Sequence, residues 1–329
     1  MSYISSLTTA QVAALTTDNV VGLSTSQIQE LSSAQIVALT TDQAGVLTTA
    51  QVAALQTSQI EAFETEDLAA LTTDAVAALT TAQLQVLTTD QVKGLTSNQA
   101  SSLTTAQVKV LTTAQVKALE TADFDALATK TVAALTTAQV RVLTTDQLGT
   151  LDSDEIVALT TGQMAALTTA QIEGLVTAQM GGLTTAQVRA LTTAQVKALE
   201  TDDLATLATK AVAALTTAQV KVLTTAQVEG LTSDQAKSLT TAQVRALTTA
   251  QVKALETADF DALATKTVAA LTTAQVKALT TDQLGTLNSD EIVALTTGQV
   301  AALTTDQIVK LATAQMGGLT TAQVKALTT

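Results

Sequence analysis

Carboxylates are the side chains in this sequence best placed to do chemistry. Asp152, Asp154 and Glu155 fall within four residues, and Asp290 and Glu291 repeat the group 136 residues later, with Asn288 in place of Asp152. Clustered carboxylate oxygens are hard ligands, and Ca²⁺ is the ion they would hold. The same residues also suit the first turn of a capped helix, where negative charge meets unpaired N–H groups and no metal is needed. Glu120, Asp123 and Asp125 form a similar group. Paired carboxylates can act as acid and base, but that requires one distinct pocket, and here every segment resembles the next. The remaining chemistry is missing at source. The 329 residues include no Cys and no His, which excludes disulfides, Cys/His zinc sites and an imidazole base. The reading is a protein that is not an enzyme and holds no cofactor, with calcium at Asp152, Asp154, Glu155, Asp290 and Glu291 as the open alternative.

The elements that would carry these residues are set by composition and repetition. Formal charge is −13 and aromatic residues make up 1%. A nucleic-acid partner is therefore excluded, because it would need a basic face and stacking platforms. Disorder is excluded too, since 47% of residues are hydrophobic and only 14% charged. Apolar runs such as Val12-Ala13-Ala14-Leu15 are short, far below the ~20 residues of a membrane span. The start, Met1-Ser2-Tyr3-Ile4-Ser5-Ser6-Leu7, lacks the basic and apolar regions of a cleaved signal peptide.

Leucine recurs every eighth residue from Leu7 to Leu327, replaced once, by Phe63, with no insertion. The unit reads Leu-Thr-Thr-Ala-Gln-Val-x-Ala. One continuous helix is ruled out, because eight residues at ~100° each overshoot two turns by ~80° and the Leu stripe would wind around the rod. A coiled coil needs a 3.5-residue spacing. A β-solenoid fits poorly, because Val12 and Leu15 have opposite parity along a strand.

The expected fold is all-α, a solenoid of very short capped helices with one per octad. Three features set the frame. The second Thr slot is always Ser or Thr from Thr9 to Thr329, which reads as the N-cap. Acids gather just after it, as at Asp18, Asp67 and Asp154, and bases sit near the far end, as at Lys93, Lys109, Arg141 and Lys253, which is the polarity of a helix dipole. The first Thr with Gln three residues on, Thr8 to Gln11, also fits a capping box and would move the cap back by one residue. Such helices are too short to persist alone, so stability must come from stacked neighbours. Leu and Val form the core, Ala and Gly admit close approach, and Gln serves backbone groups at the corners. Evenly spaced Thr hydroxyls would also suit an ice-binding face, but capping accounts for the second Thr without it.

Residues 1–329 read as a single continuous array, part of a longer one because it stops within an octad at Leu327-Thr328-Thr329. Distinctive octads recur 136 residues apart, as Glu120-to-Asp125 with Glu256-to-Asp261, a 17-octad super-repeat. Relatives of these octads begin at Glu64 and Glu200, and tandem duplication accounts for them. Their steps are also near multiples of ~3.4, which suggests about that many octads per solenoid turn.

Long Leu-Thr-Thr-Ala-Gln-Val arrays of this kind, from Leu7 onward, resemble the octad-repeat regions of large secreted Gram-negative surface proteins, adhesin-like or surface-layer-like. The resemblance implies an extracellular or cell-surface location, with the cytoplasm as the alternative. It implies a structural role as spacer, stalk, filament or surface-layer component. Partners would be other copies or other surface components. The rival function is a solenoid adhesin, a binding module for protein or glycan ligands.

Overall fold

The computed structural model describes residues 3–327. Thr329, the last hydroxyl of the second-Thr series, lies outside them. The described residues form a 3₁₀ turn, Tyr3–Ser6, and then 40 α-helices of four to six residues with no strand between them. There is one helix per octad. The chain divides between Ala166 and Leu167 into two compact units. Within each unit a helix packs against the helix three octads further on, as Thr41–Gly45 does on Thr65–Ala70 and Thr185–Ala190 on Thr209–Ala214. Each unit is an α-solenoid. Hydrogen bonds between successive coils join residues 25 to 31 apart, so one turn holds between three and four octads. That range contains the value of ~3.4 suggested by the super-repeat.

The octad Leu135–Val142 shows why each helix starts and stops. Thr136, the first Thr, is extended at φ −73°, ψ 159° and caps the helix Thr137–Val142. Its Oγ1 accepts from the Gln139 N–H at 3.2 Å, and its own N–H donates to Gln139 Oε1 at 2.7 Å. This reciprocal pair is a capping box. The second Thr is therefore the first helical residue and not the cap, which corrects the frame expected from its invariance. An invariant hydroxyl was the wrong guide, because the box uses Gln as much as Thr. Where Val176 or Ala312 stands in the first slot, its N–H still donates to Gln179 or Gln315 Oε1 at 2.8 Å.

The helix ends at Leu143, whose backbone turns extended at φ −55°, ψ 140°. Leu143 and Thr144 together make the corner. No described residue has a positive φ and no described peptide bond is cis, so these corners need neither Gly nor Pro.

The core alternates Leu from the corners with Val, Ile, Leu, Met or Phe from the helices, buried throughout except near the two ends, where Leu15 and Leu23 are half-buried and Met316 and Val324 exposed. Sizes compensate between coils. The helix bearing Phe124 packs on the one bearing Ala100, and the helix bearing Phe260 on the one bearing Ala236. At Gly94 and Gly230 the second Thr three octads earlier fills the space that the missing Cβ leaves. A Cβ added at Gly94 would meet the Thr65 methyl at 2.0 Å, and one at Gly230 would meet the Thr201 methyl at 2.1 Å. This close approach gives the second slot a packing duty. Its hydroxyl works across the coils too, as in Ser33 to the Ser58 carbonyl at 3.5 Å.

Candidate functional site

The polar side chains fall into an inner and an outer set. The inner set is the Gln column. Gln139 is 2% exposed. While its Oε1 serves the cap of its own helix, its Nε2 donates to the carbonyls of Val108 and Leu111, at 2.8 and 2.7 Å, one coil earlier. The Leu111 carbonyl, at the end of the helix Thr105–Val110, would otherwise lie unpaired in the interior, and the Val108 carbonyl, which already accepts from the Leu111 N–H, gains a second donor. The register repeats: Gln83 reaches Val52 and Leu55, and Gln219 reaches Val188 and Leu191. Each of these Gln residues thus caps the start of its own helix and the end of one in the previous coil.

Six carboxylates occupy Gln slots and are buried: Asp67, Asp123, Glu155, Asp203, Asp259 and Glu291. Asp is too short to copy Gln and takes a hydroxyl instead. Thr41 Oγ1 donates to Asp67 Oδ1 at 2.9 Å, Ser97 Oγ to Asp123 Oδ1 at 2.8 Å and Ser233 Oγ to Asp259 Oδ1 at 2.6 Å. Burial pushes Asp67, Asp123 and Asp203 above the usual carboxylate range, and these hydroxyl bonds, from Thr177 for Asp203, pull partly back. Asp67 Oδ2 is buried without a partner. The sequence pattern groups Asp67 with the acids at helix starts. The signal that it is inward-facing was its slot, otherwise filled by Gln.

The suggested calcium ligands are divided by this arrangement. Asp152 caps its helix, its Oδ1 accepting from the Glu155 N–H at 2.8 Å, and its own N–H donates to Glu155 Oε2 at 3.2 Å. Asn288 and Glu291 repeat both bonds at 3.0 Å. Glu155 and Glu291 are buried while Asp152, Asp154 and Asp290 are exposed. Burial raises the pKa of both glutamates against the bond from the capping residue's N–H. The nearby charges of Asp152 and Asp125 add to the rise for Glu155, and those of Asp261 and Asp290 for Glu291. Among the described residues, no three carboxylates converge in a group able to hold a metal ion.

The outer set is ordered along stacks of helices. In the first unit, Thr17–Val21, Thr41–Gly45, Thr65–Ala70, Thr89–Lys93, Thr113–Ala118 and Thr137–Val142 pack in succession. They expose Asp18, Asp42, Glu66 and Asp90, then Lys93, Lys117 and Arg141. Beside the basic end lies an open hollow of about 520 Å³ lined by Lys93, Lys117, Glu120, Thr121 and Asp146 among others. A hollow of about 550 Å³ in the second unit has Lys253, Glu256, Thr257 and Asp282 on its lining. Such sites bring charge to a surface. Their chemistry is ion pairing and hydrogen bonding.

A model of the ALTTAQ repeat matches this chain at residues 20–57, 60–97, 116–153, 148–185, 156–193, 196–233, 252–289, 284–313 and 292–329. The chain belongs to the ALTTAQ repeat family. The matched stretches take in most of both units, so the Gln ladder and the capping box are features of ALTTAQ repeats as this chain folds them. Comparison with curated proteins gives no match. Among the described residues, no helix of this ALTTAQ array is long and apolar enough to cross a membrane.

Proposed function

We propose that this chain is a non-enzymatic structural protein, an extracellular spacer or surface-layer-like component that associates with further copies of itself. The observation that carries the reading is the allocation of side chains. Leu, Val, Gln and the second Thr are spent on holding one coil to the next, and the first Thr on capping its own helix. What remains for solvent is a set of repeated charges and not one unlike cavity. Rigidity spread evenly along a solenoid is what a spacer needs. Electron microscopy of the purified chain, with and without calcium, tests the reading alongside circular dichroism. Ordered polymers with a helical spectrum support it, and monodisperse single particles under all conditions overturn the assembling role. Protease shaving of intact cells tests the surface location, which fails if the chain is protected until lysis.

The hollows beside Lys117 and Lys253 favour a second reading, an adhesin module for acidic or zwitterionic protein or glycan groups. Glycan-array binding that disappears in the Lys117→Ala, Lys253→Ala double variant would support this reading over the first.

A further inference from the structure

The outer charges of the first unit stand in an order that makes the stripe its own complement. Seven helices stack there in succession, from Thr17–Val21 to Thr161–Ala166, and the first six carry exposed charge. Numbered along those six, the first three present Asp18, Asp42 and Glu66, and the next three present Lys93, Lys117 and Arg141, with Asp90 on the same helix as Lys93. All six side chains are exposed. The carriers are evenly spaced in sequence within each half, one coil per step. Turning a second copy end over end therefore sets the first helix against the sixth, the second against the fifth and the third against the fourth. Every one of those meetings joins an acid to a base. Asp18 meets Arg141, Asp42 meets Lys117 and Glu66 meets Lys93, and the two-fold axis makes each pair twice.

We propose that copies of this chain associate antiparallel through the stripe Asp18–Asp42–Glu66–Lys93–Lys117–Arg141, about a two-fold axis passing between the helices Thr65–Ala70 and Thr89–Lys93. The occupant of the face is a second copy of the same chain. The inference rests on the self-associating reading above and supplies its surface. Charge order is what singles out the partner. A parallel arrangement would oppose like charges at every coil, and like charges directly opposed are repulsive. A polyanion would find only half the stripe attractive, and so would a polycation.

The second unit carries a shorter stripe of the same kind. Thr201–Thr206, Thr225–Glu229, Thr249–Ala254 and Thr273–Ala278 pack in succession and expose Asp202, Glu229, Lys253 and Lys277. That order is also self-complementary, with Asp202 opposite Lys277 and Glu229 opposite Lys253. It is not a plain copy of the first. The position of Lys93, moved by the 136-residue super-repeat, holds Glu229. The centre of the palindrome has shifted by one coil, yet acid still precedes base.

Exposed ion pairs are individually weak and screened by salt, so the association must be polyvalent and salt-dependent. Sedimentation equilibrium of the full chain tests it, in about 20 mM and about 500 mM NaCl, where screening lengths differ several-fold. Two charge-swapped variants provide the control. The first is Lys93→Glu, Lys117→Glu, Arg141→Glu, which makes the stripe wholly acidic. The second is Asp18→Lys, Asp42→Lys, Glu66→Lys, which makes its outer charges basic but for Asp90. All six positions are exposed, so both variants should keep the helical spectrum of the parent.

The expected result is association of the parent that weakens at least about tenfold at the higher salt. Each variant alone should associate at least about tenfold less well than the parent, and an equimolar mixture of the two should recover it as a mixed pair. Association that is the same in parent and variants, or a mixture no better than its components, overturns the stripe while leaving self-association standing. A parent that stays monomeric at both salt concentrations overturns the stripe and the self-associating role together.

Discussion

Gln139 donates its side-chain N–H to the carbonyl of Leu111, 28 residues earlier, at 2.7 Å, while its Oε1 accepts from Thr136 of its own octad. One buried amide thereby joins the end of one helix to the start of another in the next coil. The amide is suited to both ends because it carries an acceptor and two donors on one rigid plane.

Replacing Gln139 by Leu leaves the Thr136 N–H and the Leu111 carbonyl without their partner and takes one of two donors from the Val108 carbonyl. At ~1–3 kcal/mol for a buried unsatisfied polar group, with some reached by water at the corners, the loss is about 3 kcal/mol. Denaturant unfolding and native-state hydrogen exchange measure it. Exchange should quicken in the helices Thr105–Val110 and Thr137–Val142 and leave distant coils unchanged, because a solenoid couples mainly neighbours. Uniform protection across those helices would show that the ladder is not what closes them.

Glu155 and Glu291 occupy ladder slots as acids. An ionised carboxylate accepts from the capping N–H as Gln does, but has no donor for the carbonyls of the coil before. Their pKa values are raised by burial, so the folded chain holds these protons more tightly than the unfolded one. Their contribution to stability is then largest below the unfolded value of about 4.3 and is lost as pH rises through the raised folded value. Glu155→Gln with Glu291→Gln should stabilise the chain at pH 7 by about 1 kcal/mol per site through the restored donor. It should also flatten the pH dependence of Tm above pH 4. A double variant whose Tm falls more steeply with pH than the parent's would contradict this.

Two adjacent hydroxyls separate capping from packing. Thr136→Ala removes the side-chain acceptor of a capping box and should cost about 1 kcal/mol, while Thr136→Ser should cost little. Thr137→Ala keeps the box, so its effect comes through contacts with the next coil. The two variants would be ranked by thermal melts. Equal loss in Thr136→Ser and Thr136→Ala would argue that the methyl, not the hydroxyl, matters at the first slot.

Gly94 lies under the Thr65 methyl. Gly94→Ala forces that methyl aside and should destabilise by ~1–3 kcal/mol, although Ala is the better helix former. Gly149 has open space where a Cβ would stand, so Gly149→Ala should be neutral or stabilising by up to about 1 kcal/mol. Equal effects at both positions would remove the packing argument for the second Thr.

Much of this molecule is determined by the octad alone. The period of eight forbids a continuous helix, the pairing of Val with Leu three residues on selects short helices, and the dipole order of acids and bases points them in one direction. The first Thr and Gln spell a capping box within four residues, because capping is local and its distances are fixed by the helix itself. Tertiary structure decided which hydroxyl caps and which packs, since only the next coil reveals what Thr65 touches. It also decided that Gln is buried. A polar residue in an exposed-looking repeat turns inward because helices of five or six residues leave carbonyls that only a neighbouring coil can satisfy. For the same reason Glu155 parts company with Asp154: adjacent in sequence, one lies in the ladder and the other in solvent. The charge stripe belongs to neither source alone. The residues are plain in the sequence, but their order along one face exists only once the coils are stacked, because that stacking makes residues 24 apart into neighbours.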